Sequence, residues 1–456
     1  MVNKNIENFL LFNPWRHGDF SLFKKPYTKR WLLEQMKQTG VFENEFIAVI
    51  YGPRQVGKTT LFYMSMRFLA EERGVPAENI FYFKADDPLI QTDFFSHFSD
   101  LVTFVRENKK DGKAFVFCDE VQKVANIGIF LKNIADLQDP DLKIFVTGSS
   151  SLELRQKAHE SMTGRKQVMS LYPFSFKEFL LRASGDSGWK PIYDDESFFN
   201  QFITFGGYPG VILAKTSEEK KARLNEIYTS YIEKDITDFL RIEYPDKFNR
   251  LVRILADQAG NLLNVHELSG TLGLNRLTTE KYIHILEETF VIKRVTPFYK
   301  NPRTELSKMP KVYFLDTGLR NYIAGNLGLF PEARGDVGKV SENHVFTEYY
   351  KALKDLERLY FWRTQTGAEV DFVYYKNEHE FYPVEVKYSD NPEMPRSLSS
   401  FMRTYPVKEA VLFQKNVSPD APLSSRNTTL LRLSVRQCGV DHIGDYHSLP
   451  FHPYLS

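Results

Sequence analysis

The chain is poor in cysteine, has no long apolar run and carries almost no net charge. Only two of its 456 residues are cysteine, Cys118 and Cys438, which cannot form a disulfide framework or a zinc knuckle and suit a reducing compartment. No apolar stretch approaches the roughly 18–20 residues that span a bilayer, and the opening MVNKNIENFLLFNPW is too polar for a signal peptide. We therefore expect a cytoplasmic protein with no membrane partner.

The composition indicates a globular chain without a general preference for nucleic acid. Lys and Arg (59) nearly balance Asp and Glu (58), for a formal net charge of +1, so binding to nucleic acid would have to depend on a local basic patch. Hydrophobic residues make up 42% and charged residues 26%, proportions that allow full hydrophobic cores. A chain of 456 residues is long enough for about two to four domains.

Residues 52–60 read GPRQVGKTT, the Gly-x-x-x-x-Gly-Lys-Thr spacing of a phosphate-binding loop. The apolar run FIAVIY precedes the loop and a segment of helical periodicity follows it, so the loop joins a strand to a helix N-terminus that favours negative charge. We predict that Lys58 reaches the β- and γ-phosphates of ATP and that Thr59 joins the Mg²⁺ shell. The predicted nucleotide contacts are Gly52, Pro53, Arg54, Gln55, Val56, Gly57, Lys58, Thr59 and Thr60.

A second apolar strand, KAFVFCDEVQKV, ends in two acidic residues about sixty positions later. A carboxylate at the end of a strand can hold Mg²⁺, which we assign to Asp119, and its neighbour Glu120 can orient the attacking water. The strand LKIFVTGSSS ends in hydroxyls that either sense the γ-phosphate or cap the next helix; the candidates are Thr147, Ser149 and Ser150. Arg155 and Arg165 follow, and either could place a guanidinium on a γ-phosphate of its own subunit or of a neighbour.

Strands and helices alternate from residue 46 to 175, which predicts an α/β core with a parallel sheet covered on both faces. The strands are expected at 46–51, 80–84, 114–118, 143–147 and 167–171. Residues 1–45 form an N-terminal helical segment with the amphipathic candidate YTKRWLLEQMKQTG. Residues 176–245 indicate helices broken by GGYPG, as in a helical lid that closes on a nucleotide.

Residues 246–323 have the helix, turn, helix and β pattern of a winged helix. Such modules bind DNA, but they also dock proteins. The second helix carries Arg276, Lys281 and His284. Three glutamates on the same helix offset these side chains, namely Glu280, Glu287 and Glu288, so the helix does not resemble a basic recognition face. A nucleic-acid partner and a protein partner both remain open.

Residues 335–456, after a Gly-rich hinge, predict an amphipathic helix and a strand-turn-strand-turn-strand run. Asp371 falls on one strand, while Glu385 and Lys387 share one face of a neighbouring strand. The pair Asp371 and Glu385 is of the type that holds Mg²⁺ or Mn²⁺, with Lys387 placed to polarise a bound water or a phosphate. A helical glutamate, Glu342 or Glu348, would complete the set. A functional metal site and an inert relic of one are both compatible with this pattern.

The motifs together resemble a prokaryotic family of AAA-type ATPases whose C-terminal domain is similar to the PD-(D/E)XK nuclease fold. The resemblance rests on GPRQVGKTTL, FCDEVQ, VTGSSS, TGR, LYPFSFKEF, GGYPG, EVDF and PVEVK, and it extends from about residue 15 to about 420. It implies an AAA-type P-loop core, a helical lid, a winged helix and a restriction-endonuclease-like α/β tail. It also implies Arg165, in Thr-Gly-Arg, as a catalytic arginine, and Asp371, Glu385 and Lys387 as a nuclease-like triad.

We therefore expect a Mg²⁺-dependent ATPase whose nucleotide state controls the winged helix and the tail, with homo-oligomers as a further expectation. One alternative is an ATP-gated nuclease that cuts DNA or RNA with a second Mg²⁺ or Mn²⁺ in the tail. The other alternative is a nucleotide-dependent docking switch whose tail has no chemistry.

Overall fold

The computed structural model describes most of the chain, and these residues divide into two compact units. The described ranges are 2–45, 47–149, 164–183, 196–230, 232, 242–298, 309–328, 333–354, 356–390, 393–416, 423–425 and 428–438. We call residues 1–172 with 288–290 the core unit, and residues 173–287 with 291–456 the tail unit. Every helix in the described ranges is too short or too polar to span a bilayer.

The core unit is built on a parallel sheet with the strand order β2-β3-β4-β1-β5. Its strands are β1 (Ile47–Gly52), β2 (Ile80–Lys84), β3 (Ala114–Asp119), β4 (Leu142–Ser149) and β5 (Lys166–Ser170). All six residues of β1 and all six of β3 are buried, as expected for a parallel sheet that is covered on both faces. The predicted parallel α/β core is confirmed.

Helices cover this sheet. They are α1 (Val2–Phe12), α2 (Trp31–Gln38), α3 (Lys58–Arg67), α4 (Pro88–Phe94), α5 (Phe98–Asn108) and α6 (Ile127–Asp136). The N-terminal segment also protects the outer strand β2, because the side chain of Asn13 donates to the Tyr82 carbonyl and accepts from the Tyr82 N–H, both at 2.8 Å. Trp15 Nε1 donates to the Ile80 carbonyl at 3.2 Å. These bonds occupy backbone groups that an edge strand otherwise leaves unpaired.

The first half of the tail unit is mainly helical. Its elements are α7 (Phe176–Ala183), α8 (Glu196–Phe205), α9 (Pro209–Ile212), α10 (Ser217–Ile227), α11 (Pro245–Asp257), α12 (Val265–Leu272), α13 (Arg276–Glu288), β6 (Ile292–Val295), β7 (Lys311–Phe314) and α14 (Thr317–Ile323). Strands β6 and β7 pair in antiparallel fashion. The predicted helices and β segment of residues 246–323 therefore form in that order.

The second half of the tail unit is a helix followed by a mixed sheet. Its elements are α15 (Val337–Ala352), β8 (Arg358–Arg363), β9 (Glu369–Asn377), β10 (Glu380–Lys387), α16 (Arg396–Thr404), β11 (Glu409–Gln414), β12 (Leu423–Ser425) and β13 (Thr428–Ser434). The strand order is β12-β13-β11-β10-β9-β8, with β8, β9 and β10 antiparallel and β11 parallel to β10. Helix α16 is the crossover that a parallel neighbour requires.

Glycines allow two segments of the tail unit to touch at the GGYPG break. A Cβ atom on Gly318 would lie 1.9 Å from the carbonyl oxygen of Phe205, and one on Gly207 would lie 2.2 Å from that of Phe174. The Asp316 carboxylate bridges the contact by accepting the Gly207 N–H at 2.7 Å and the Leu319 N–H at 2.8 Å. The break is thus a site of close packing between α8 and α14.

We expect Gly318→Ala to destabilise the tail unit, because the new methyl group would collide with a backbone oxygen at 1.9 Å. Overpacking of this kind typically costs about 1–3 kcal/mol, which outweighs the better helix propensity of alanine. Thermal unfolding followed by circular dichroism should show a lower melting temperature. Gly210→Ala is the matched control, since a Cβ there meets nothing within 4 Å. Equal melting temperatures for the two variants would contradict the close-packing account.

Candidate functional site

The phosphate-binding loop lies where β1 ends and α3 begins, at the carboxyl edge of the sheet. Gly57 has φ +95° and Gln55 has φ +61°, so the loop contains left-handed residues immediately before the helix starts at Lys58. The Lys58 ammonium donates to the carbonyls of Gly52 and Pro53 at 3.1 and 3.0 Å. Burial lowers the pKa of Lys58, and the charges of Glu120 and Asp119 oppose the shift. The predicted strand–loop–helix geometry is present.

Arg30 supports this loop from behind, and sequence reasoning missed it. Its guanidinium is 5% exposed and donates to the carbonyls of Val56 at 3.0 Å and Tyr172 at 2.6 Å. A Cβ on Gly52 would lie 2.3 Å from the Leu171 carbonyl oxygen, so only glycine fits where β1 passes the end of β5. No local spacing marks Arg30, because its partners are distant in sequence.

Asp119 is the centre of the candidate nucleotide site. It is 2% exposed, and its carboxylate accepts from the Thr59 hydroxyl at 2.5 Å, from the Tyr82 hydroxyl at 2.9 Å and from the Thr147 hydroxyl. Burial raises the pKa of Asp119, and the hydrogen bonds from Thr147 and Thr59 oppose the shift. Adjacent hydroxyl and carboxylate oxygens are ligands that suit Mg²⁺, so the predicted pair of Thr59 and Asp119 fits that ion.

Glu120 is held in a left-handed backbone conformation beside Asp119, with φ 57° and ψ 39°. Its N–H donates to the Thr147 hydroxyl at 3.1 Å, and its Oε1 lies 3.9 Å from the Lys58 ammonium. A left-handed non-glycine residue is costly and often marks a functional site. Thr147 is fully buried and bonds to both acidic residues, so it positions them, and its role as a γ-phosphate sensor stays a prediction. Ser150 lies outside the described residues.

Arg165 lies at the opposite edge of the sheet from the loop. Its carbonyl accepts from the N–H of Ile47, the first residue of β1, whereas the loop begins at the last residue, Gly52. At about 3.3 Å per residue, the two ends of β1 are roughly 17 Å apart, and the Arg165 side chain pairs with Asp136 at the end of α6. A catalytic role for Arg165 in its own subunit is therefore wrong. A role at a neighbour's site stays a prediction, and Arg155 lies outside the described residues.

Asp371 and Glu385 face each other on adjacent strands of the tail sheet. The register pairs Phe372 with Val384, which places Asp371 directly opposite Glu385, where side chains are about 5 Å apart. Asp371 accepts the Val386 N–H at 2.8 Å, and Glu385 Oε1 lies 2.7 Å from the Lys387 ammonium. The structure thus brings the three predicted residues together.

The charges of Asp371, Glu385 and Lys387 affect one another's pKa values. Burial raises the pKa of Asp371, and the nearby charges of Glu342 and Glu385 raise it further. Burial also raises the pKa of Glu385. Burial alone would lower the pKa of Lys387, but attraction to Asp371 and Glu385 outweighs it and raises that pKa. A cation bound between Asp371 and Glu385 would reduce the repulsion between their carboxylates.

The structure distinguishes the two candidate helical glutamates. Glu342 Oε1 lies 3.1 Å from the Lys311 ammonium and accepts from the Tyr313 hydroxyl at 2.5 Å. Glu348 belongs to a different cluster, where it accepts the Phe176 N–H at 3.1 Å. Glu342 is therefore the helical glutamate whose charge acts on Asp371, and it bonds to a lysine that sequence reasoning did not identify.

A metal ion in the tail would have few protein ligands. No three His, Cys, Asp or Glu side chains in the described ranges are arranged to hold a metal ion. The pair Asp371 and Glu385 remains, and the buried Oε2 of Glu385 has no hydrogen-bond partner among the described residues. Mg²⁺ is commonly held by one or two carboxylates together with substrate phosphates. The pair fits an ion of that kind, and Glu342 does not add a third ligand.

A neighbouring strand supplies a cation to the acidic side chains of α13. Arg294 on β6 binds two of the three glutamates, Glu280 at 3.2 Å and Glu287 at 2.7 Å. The three basic side chains of the helix, Arg276, Lys281 and His284, are exposed. One guanidinium offsets only one of the two carboxylates that it contacts, so the expectation that this helix is not a strongly basic face stays a prediction.

Comparison with known proteins finds three family models that match this chain, one of them over the core unit. Residues 44–180 match the model of an AAA domain. Residues 196–332 and 337–427 match two models that are each described as a domain of unknown function, DUF8612 and DUF4143. The first match agrees with the parallel sheet and the loop, and it supports the predicted AAA-type, nucleotide-binding P-loop core.

Relatives extend over most of the chain. An uncharacterized protein of Mycobacterium tuberculosis is 27% identical over 357 residues, which cover 78% of this chain and 73% of the relative. One of Haemophilus influenzae is 25% identical over 349 residues, covering 75% and 82%. A solved structure, a DNA polymerase III gamma subunit-related protein of Thermotoga maritima, is 12% identical and covers 56% of this chain and 98% of that chain with a TM-score of 0.26. A score that low does not indicate a common overall architecture.

We expect Tyr82→Phe to raise the Mg²⁺ concentration needed for half-maximal phosphate release from ATP about fivefold, the equivalent of one hydrogen bond of about 1 kcal/mol. The variant keeps the ring but removes a donor to Asp119 Oδ2. Since that bond lowers the pKa of Asp119, its loss should also move the acidic limb of the pH profile to higher pH. Tyr27→Phe is the control, because its hydroxyl bonds to the Leu22 carbonyl. Identical Mg²⁺ curves for both variants would show that Tyr82 does not position Asp119.

Proposed function

We propose that the chain is a Mg²⁺-dependent ATPase whose nucleotide state controls the tail unit. The observation that carries this proposal is the meeting of four predicted residues at one edge of the sheet. The Thr59 hydroxyl lies 2.5 Å from Asp119 Oδ2, and the Lys58 ammonium lies 3.9 Å from Glu120 Oε1. The AAA-domain match over residues 44–180 supports the same function.

Each side chain has a defined task in this proposal. When bound, Mg²⁺ neutralises charge on the β- and γ-phosphates, and Thr59 and Asp119 are the residues that would hold it. Lys58 releases the Gly52 and Pro53 carbonyls and donates to the phosphates. Glu120 orients the attacking water, and its left-handed backbone keeps the carboxylate beside Lys58. Catalysis is thus positioning and charge stabilisation by preorganised groups.

The route from the nucleotide to the tail follows the chain itself. Leu171 touches the start of the phosphate loop, and the tail unit begins two residues later. There the Phe174 carbonyl accepts from the Lys351 ammonium at 3.0 Å, and the Phe176 N–H donates to Glu348 at 3.1 Å. Both partners lie on α15, the helix that also carries Glu342. We propose that the nucleotide state reaches the tail unit through this chain connection.

We expect Glu120→Gln to retain ATP binding but to lower phosphate release by about 100-fold or more, the usual contribution of a positioned base. Lys58→Ala should lose tight ATP binding as well, because the variant lacks the ammonium that contacts the β- and γ-phosphates. Fluorescent-nucleotide titration and phosphate release measure the two effects separately. Lys110→Ala, a core-unit lysine with a 64% exposed side chain, is the control. Wild-type turnover in Glu120→Gln would refute the assigned role of Glu120.

A second candidate function is cleavage of DNA or RNA by the tail. It is favoured by the opposition of Asp371 and Glu385, with Lys387 2.7 Å from Glu385 Oε1 and an unpartnered carboxylate oxygen among the described residues. The helix–three-strand–helix–strand order of the tail and its resemblance to the PD-(D/E)XK nucleases support the same proposal. The exposed side chains of Arg276 and Lys281 on α13 would supply phosphate contacts, as a winged helix does.

Mn²⁺ is expected to raise the melting temperature of the full-length chain by mass action, since binding between Asp371 and Glu385 relieves their repulsion. Asp371→Asn and Glu385→Gln should each abolish the part of the rise that arises at this site. Lys387→Ala should keep that rise while any cleavage of plasmid or RNA is lost. The full chain is required, because a 335–456 fragment lacks Lys311 and Tyr313, which contact Glu342.

The control for this experiment is Glu378→Gln, a carboxylate that is 80% exposed in the turn between β9 and β10. It should respond to Mn²⁺ as the wild type does. If Asp371→Asn responds like Glu378→Gln, the metal site is refuted. The tail would then be a docking surface, as in the alternative of a nucleotide-dependent switch.

A further inference from the structure

Lys311 lies inside the carboxylate cluster although it belongs to a different part of the chain. It is on β7, before the predicted nuclease-like segment, and it is 2% exposed. Its ammonium lies 3.1 Å from Glu342 Oε1 on α15 and 2.6 Å from Glu369 Oε1 on β9. A lysine is almost never this deeply buried without such partners. Its place in the fold is therefore determined by the two glutamates.

The same two glutamates are close to the carboxylate pair. Glu369 and Asp371 are two residues apart on β9, so their side chains leave the same face of the sheet. Asp371 is in turn opposite Glu385. The cluster thus forms a row of carboxylates with Lys311 at one end and Lys387 at the other.

The charge of this row is almost balanced by the protein itself. Four carboxylates belong to it, namely Glu342, Glu369, Asp371 and Glu385, and three cations contact them, namely Lys311, Lys387 and Arg363, which lies 3.1 Å from Glu369 Oε2. One divalent ion and one phosphodiester group would bring the sum to zero. A second divalent ion would add charge that nothing in the row neutralises, and Lys311 already bonds to the carboxylates that would have to bind it.

We propose that Lys311 is a built-in cation that takes the place of a second divalent ion, so that this site binds one metal ion and not two. The inference rests on the proposed metal site between Asp371 and Glu385. It assigns Lys311 as a positioning residue, because its ammonium is already paired with Glu342 at 3.1 Å and with Glu369 at 2.6 Å. In a site with two metal ions, the ions stabilise the attacking oxygen and the leaving oxygen alike. A site with one ion would stabilise these two oxygens unequally.

The test is the number of Mn²⁺ ions bound per chain, measured by the loss of the free-ion electron paramagnetic resonance signal in nucleotide-free, full-length protein. The number of ions at this site is the number bound by a protein minus the number bound when it also carries Asp371→Asn. We expect one for the wild type and two for Lys311→Gln, which keeps a hydrogen-bond donor but removes the charge. Lys311→Arg keeps the charge and should bind one. The Mn²⁺-induced rise in melting temperature should be larger for Lys311→Gln than for the wild type.

Each other outcome decides against part of the proposal. One ion in both the wild type and Lys311→Gln, with equal affinity, means that Lys311 is only structural, while the metal site stands. No ion in the wild type but one in Lys311→Gln refutes the proposed metal site, because Lys311 would then replace the first ion and not a second one. No ion in either protein refutes both.

Lys311→Gln leaves Glu342 and Glu369 without their ammonium partner and could prevent folding. The folding of this variant is therefore measured with and without Mn²⁺. If Lys311→Gln folds only when Mn²⁺ is present, that dependence is the expected result, because the ion replaces the missing charge. If neither Lys311→Gln nor Lys311→Met folds with or without Mn²⁺ while Lys311→Arg does, an ion does not substitute for the ammonium and the proposal is overturned.

Discussion

The need to satisfy the buried carboxylate of Asp119 is the constraint on which the core unit depends. Burying a charge is costly unless hydrogen bonds replace its water. Here the replacement comes from three directions, since Tyr82 belongs to β2, Thr59 to the first turn of α3 and Thr147 to β4. Only a parallel sheet with β3 between β2 and β4 brings these hydroxyls to one point. The strand order is therefore what supplies Asp119 with its three hydroxyl donors.

The tail unit meets a similar constraint in a different way. Its carboxylates pair with three charged groups, Lys311, Lys387 and Arg363, in addition to hydroxyl donors such as that of Tyr313. The hydroxyl donors around Asp119 carry no charge, so the negative charge of Asp119 is not neutralised by them. The ammonium groups of Lys311 and Lys387 do neutralise part of the negative charge of the tail carboxylates. In the proposed functions, the core site would hold a strongly charged nucleotide, and the tail cluster would hold one further cation.

The segment after β5 belongs with the tail, although the resemblance places a lid there. The rings of Phe176, Phe199 and Phe202 surround the buried imidazole of His344 on α15. Burial lowers the pKa of His344 to about 3, so the ring stays neutral among these aromatic side chains. Close packing of α8 on α14 adds a second contact through Gly318. Helices of the predicted lid and the carboxylate-bearing helix are therefore parts of one compact unit.

The amino-acid sequence by itself determined the features whose signal is local. The phosphate loop, the strand ending in Asp119 and Glu120, and the alternation that predicts the parallel sheet depend on residues close together in the chain, where helix and strand periods are visible. The register that opposes Asp371 to Glu385 follows from two strands joined by a short turn.

Only the tertiary structure decided the long-range partners. It selected Glu342 over Glu348 for the carboxylate row, and it placed Arg165 at the far edge of the sheet. It also revealed Arg30, Tyr82 and Lys311, whose partners are separated from them by tens of residues. The physical reason is that such contacts depend on strand order and helix packing, which local spacing does not record.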